Sequence, residues 1–140
     1  MIGMELAKNI RQMNASDLFI LGARLTFGTW LFYVGLAKWL GGSVGFVGFI
    51  ASAFSKTWIP EPLLLLTGWG ILLAEPVIGI WLVLGLTKRW AWISAAALMF
   101  LLTFGQTVIK EHSTVANNWQ YFVLCLACAA LAGPRNMQPE

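Results

Sequence analysis

The hydrophobic positions along this chain fall into long, nearly unbroken runs rather than a two- or three-residue alternation. The longest, Leu63 to Leu86 (LLLLTGWGILLAEPVIGIWLVLGL), is almost wholly apolar. As a helix, its length crosses a hydrocarbon core of ~30 Å. Similar runs cover about 18–40, 90–109 and 118–132, the last of them short. The pattern predicts an all-α integral membrane four-helix bundle, one domain over 1–140. Two shorter stretches complete it. Residues 1–16 mix Lys8 and Arg11 with Ile2, Met4, Leu6, Ile10 and Met13, which reads as an amphipathic surface helix. Ser16 or Asp17 is positioned to cap the first span. Residues 41–61 are too short and too glycine-rich to span. Phe46, Phe49, Ile50, Ala53 and Phe54 recur there at helical spacing, predicting an interfacial or re-entrant helix between spans one and two.

Polar residues inside the runs are the candidates for chemistry. Glu75 stands mid-run with Pro76 behind it. A charge at mid-bilayer costs roughly 2.5–3.5 kcal/mol on insertion scales, so it faces a partner or a wet cavity. Pro76 has no N–H, which frees the Leu72 carbonyl one turn back. On the first span Arg24, Gly28, Leu31, Gly35 and Lys38 share one face, which therefore meets protein. Lys38 is near the span's end, where a lysine snorkels to headgroups; Arg89 is at the other interface. Arg24 is deeper, roughly 9 Å in, and Glu75 lies roughly 16 Å from the same side. The gap of about 7 Å is within reach of two long side chains. The sequence thus predicts an Arg24–Glu75 ion pair. It serves equally as a lock for the bundle or as the floor of a polar pocket, with Thr26, Thr29 and Tyr33 supplying hydroxyls.

Composition narrows the class. Charged residues make up 11% and hydrophobic ones 59%, far from a soluble globule's balance. The net charge of +3 sits in loop lysines and arginines, and no phosphate-cradling, zinc or basic-aromatic motif is present, so a nucleic-acid partner is not expected. Lys8, Arg11, Lys88, Arg89 and Arg135 fall on one side, and Lys38, Lys56 and Lys110 on the other. The positive-inside rule then places both termini in the cytoplasm. His112, in a loop from Glu111 to Asn118, is the single histidine, and no metal site is expected. Cys125 and Cys128 form a C-x-x-C within the last apolar run; they are redox candidates or inert small hydrophobes.

Taken in order, these features resemble the DoxX family of small membrane proteins. The residues that carry the resemblance are Arg24, Gly35-Leu36-Ala37-Lys38, Glu75-Pro76-Val77-Ile78-Gly79 and Leu84-Gly85-Leu86-Thr87-Lys88-Arg89, followed by an alanine-rich helix. Lys88 departs from the family's more usual direct Thr-Arg. The resemblance implies a bacterial inner-membrane four-helix bundle. Some members look like the small quinone-linked subunit of a thiosulfate-oxidising enzyme, and others accompany redox or stress-defence partners. The expected function is thus an accessory or redox-linked subunit of a larger membrane complex. The alternatives are a quinone-linked oxidoreductase subunit and a small-solute carrier using the Arg24–Glu75 pocket. Lipid and other membrane subunits, or further copies of the chain, are the expected partners, and a quinone is the cofactor class to test.

Overall fold

A computed structural model describes residues 2–133, in which six helices account for nearly all of the chain and no strand occurs. They are α1 (Ile2–Gln12), α2 (Ala15–Leu40), α3 (Ser43–Ala53), α4 (Glu61–Leu84), α5 (Lys88–Val108) and α6 (His112–Leu131). Arg135, counted above among the orienting charges, lies outside the described residues.

Three of these helices, α2, α4 and α5, are long and apolar enough to cross a membrane. The sequence expectation of four spans is met in that coarser form. α6 reaches 20 residues by starting at His112, so the expected loop from Glu111 to Asn118 is helix instead. Its opening turns, His112 to Asn118, are polar, which is why hydropathy placed its start six residues late. α2 also starts early. Its cap is Asn14, not Ser16 or Asp17: the Asn14 side chain accepts from the Asp17 N–H at 2.9 Å and from the Ser16 hydroxyl at 2.9 Å.

The long helices touch in a ring, α2 on α4, α4 on α5, α5 on α6, with α6 closing back on α2, while α3 packs across α4 and α2. Their polarity is inverted relative to a soluble bundle. Along α4, Leu66, Leu73, Val77, Ile80 and Leu84 are exposed, whereas Glu75 is buried at 2% exposure. An outer surface this apolar fits hydrocarbon, not water.

The α2–α4 contact fixes everything near the polar residues. A Cβ on Gly79 would stand 2.5 Å from the Phe32 nitrogen and 2.8 Å from the Gly28 carbonyl oxygen. One on Gly35 would stand 2.5 Å from Pro76 Cδ. Backbone therefore meets backbone, as small residues at membrane helix crossings allow. The carbonyl that Pro76 frees is not left bare: the Trp39 indole N–H donates to the Leu72 oxygen at 2.8 Å. Trp39→Phe keeps the ring and loses this donor. It should lower unfolding stability by about 1–2 kcal/mol, read as a shifted denaturation midpoint in detergent.

Candidate functional site

The crossing sets an antiparallel register in which Gly35 lies beside Glu75 and Pro76, and Arg24 lies beside Gly85. One turn beyond Gly35, Lys38 reaches back to Glu75. Its ammonium donates to both carboxylate oxygens, at 2.5 and 2.7 Å. Glu75 is 2% exposed and the Lys38 side chain 25%. The expected Arg24–Glu75 pair does not form, and the interfacial place expected for Lys38 is corrected with it. The physical reason is register. The prediction took the two spans to end level, whereas α2 begins about 13 Å before the level of Gly85, nine residues at 1.5 Å each. Arg24 is therefore level with the end of α4 rather than with its middle, and the nearer cation takes the acid.

Lys38, held by Glu75 behind it, lines the floor of a cavity of about 340 Å³ beneath α3. Phe46 and Ile50 of α3 and Phe54, which caps it, roof the cavity, α4 contributes Thr67 and Ile71, and α5 contributes Gln106. The Lys38 nitrogen sits 4.6 Å from the centre of the Phe46 ring, a cation–π contact that ties the roof to the floor. An ammonium has three N–H donors, and Glu75 takes two. One donor is left over, on a side chain that lines a chamber of ligand size together with Thr67 and Gln106. The prediction of a helix over this end of the bundle is met by α3.

Thr29 and Tyr33, expected to line the pocket, are exposed, Tyr33 at 68%, on the face of α2 turned away from Gly35. Thr26 is also exposed, its hydroxyl donating to the Gly22 carbonyl at 2.7 Å. The carrier reading rested on an Arg24–Glu75 pocket, and those two residues do not meet: Arg24 lies beside Gly85, ten residues along α4 from Glu75. Arg89 is exposed. Cys125 and Cys128 are free thiols, both fully buried in the core with Trp92 and Met99, and neither lines the Lys38 cavity. His112 is exposed at the start of α6, and no group of three potential metal ligands occurs among the described residues.

The DoxX family model matches residues 19–108, more than half of the chain. The chain belongs to the DoxX family. No curated protein and no solved structure matches it. The DoxX match runs from the first turns of α2 to the last residue of α5. It contains Arg24, Lys38, Glu75 and the roof helix α3, and it stops before Cys125 and Cys128. The cavity is thus built within the DoxX segment, while the C-x-x-C lies on the helix beyond it. Trp39 and Phe46 are the site residues that sequence reasoning missed. The signal for Trp39 was available: the Leu72 carbonyl needed a donor, and an indole N–H adjoined the lysine.

Proposed function

We propose that this DoxX-family membrane protein is a small redox-linked subunit that holds the polar head of a lipophilic molecule, a quinone, in the cavity beneath α3. The observation that carries this reading is Lys38, anchored by Glu75, at the floor of a largely apolar chamber whose other polar lining groups are Thr67 and Gln106. A quinone has the complementary shape, a flat ring with carbonyl acceptors on an apolar tail. The donor set present fits it: the remaining Lys38 N–H to a ring carbonyl, Phe46 and Phe54 against the ring, Gln106 as a second polar contact. A bound quinone supplies two-electron redox chemistry. The chain's own residues orient the head, exclude water and hold a proton at the Glu75 carboxyl or the Lys38 amine. An ion pair moves protons and not electrons, so the electrons come from a second subunit of a larger assembly.

In this reading the protein lies in a bacterial inner membrane with α6 as a fourth span and both termini cytoplasmic. The loop charges support that orientation, with Lys8, Arg11 and Arg89 at one end and Lys56 and Lys110 at the other. A reporter fused after Gly85 should register cytoplasm and one at Thr57 the opposite face; a cytoplasmic signal at Thr57 rejects the orientation. The functional test is the mass of the gently solubilised native particle, with extraction of its lipophilic contents. A particle larger than the chain that carries a quinone is expected. A bare monomer that turns over a substrate unaided overturns the subunit assignment.

A further inference from the structure

At the opposite end of α2 from Lys38 lies a second cavity, of about 450 Å³. Arg24 and Lys38 are fourteen residues apart on α2, about 21 Å along its axis, so the two chambers are separate. Arg24 lines the second with Asp17, Leu82, Gly85, Trp92 and Gly133. Its guanidinium lies against Gly85, in the space that any side chain there would take. Gly85 has φ +70, the left-handed conformation that ends α4, and its N–H donates to the Trp81 and Leu82 carbonyls, each at 3.1 Å. The turn thus closes on itself and leaves the arginine its room.

The arginine itself is unfinished. Its Nε is buried and meets no acceptor among the described residues. Asp17 shares the cavity, two turns nearer the start of α2, and is itself engaged in an interaction. A guanidinium cannot shed its charge, and a buried donor without an acceptor is costly. Its planar fork matches an oxyanion bidentately, which an isolated ammonium does not. The surroundings give the level: Arg89 and Trp90, in the first turn of α5, are both exposed, as side chains at a headgroup boundary are. Trp92 and Leu82 supply an apolar wall below the arginine.

We infer that the Arg24 cavity is an oxyanion site that takes a phosphate group, carried by a lipid headgroup or free in solution. Delipidated protein in an alkyl-maltoside micelle tests this. It is titrated with short-chain phosphatidylglycerol, and separately with inorganic phosphate against chloride at equal ionic strength. The thermal unfolding midpoint is followed, with native mass spectrometry to count bound lipid. Phosphatidylglycerol should raise the midpoint of the wild type and remain bound in the gas phase. Arg24→Gln should raise the half-saturating concentration at least about tenfold. Arg24→Lys, which keeps the charge and loses the fork, should fall between, and this comparison decides the matter if the glutamine variant does not fold. Stabilisation by inorganic phosphate alone assigns the site to a free anion; stabilisation by the lipid alone assigns it to a headgroup. No response to either, or equal responses in wild type and Arg24→Lys, overturns the inference.

Discussion

Glu75→Met destabilises the folded protein by about 3 kcal/mol, the low end of the range for breaking a buried ion pair, because it strands Lys38 beneath α3. The low end applies because the lysine keeps 25% of its side-chain exposure. Lys38→Met strands the more deeply buried partner, but a carboxyl can take up a proton and become neutral, so its loss is expected to be the smaller. The double variant places two thioether side chains of similar volume against Phe46 and the Gly35–Pro76 contact. It should recover part of the combined loss, a coupling of about 1–3 kcal/mol in a double-mutant cycle. Arg24→Gln combined with Glu75→Met should instead be additive within about 0.5 kcal/mol, since the register separates them. Chemical unfolding in mixed micelles reads all of these. Strong coupling of Glu75 to Arg24, with none to Lys38, would reject the register described above.

The helix crossing that sets this register is itself sensitive to one carbon atom. Gly79→Ala introduces a Cβ at 2.5 Å from the Phe32 nitrogen and 2.8 Å from the Phe32 Cα. Both obstacles are backbone, which has no rotamer to turn away, so α2 and α4 must separate. The expected cost is about 3 kcal/mol, at the upper end for overpacking, and the separation also draws Lys38 off Glu75. Gly22→Ala, on the facing helix α2, is the control. A Cβ there meets nothing within 4 Å, and alanine favours the helix by up to about 1 kcal/mol. The pair of substitutions should therefore move the unfolding midpoint in opposite directions. Similar losses from both would mean that the crossing is not where the backbones approach.

Much of this architecture is legible in the sequence, because lipid leaves few options. Apolar runs must be helices, since a lipid-exposed backbone finds hydrogen bonds only within itself. Glycines at 28, 35 and 79 mark where two helices touch, and a mid-run acid demands a partner. The Leu72 carbonyl freed by Pro76 was readable from the covalent structure alone, and its donor is found on the facing helix. What could not be read was register. Which cation meets Glu75 depends on how far α2 slides along α4, and hydropathy locates helix ends only to within a turn or two. The polar Ala15-Ser16-Asp17 turn of α2 and the polar start of α6 both extend helices past the apolar run, and the slide of α2 along α4 sets Arg24 beside Gly85, ten residues from Glu75. Thr29 and Tyr33 failed for a related reason. They lie one residue from Gly28 and two from Gly35, and on a helix such an offset turns a side chain onto another face.

The Lys38 cavity as a receptor for a lipophilic headgroup is tested most directly by equilibrium titration. Trp58 lines the chamber and Trp39 adjoins its floor, so tryptophan fluorescence reports occupancy. Wild-type protein in nanodiscs is titrated with a short-tailed quinone, beside the Lys38→Met, Glu75→Met double variant, which removes the ammonium lining the chamber together with its partner and is first checked for retained helical content. Saturable quenching in the wild type, with affinity reduced about tenfold or more in the double variant, is the predicted result. Equal quenching in both proteins, or a linear response without saturation, would contradict it.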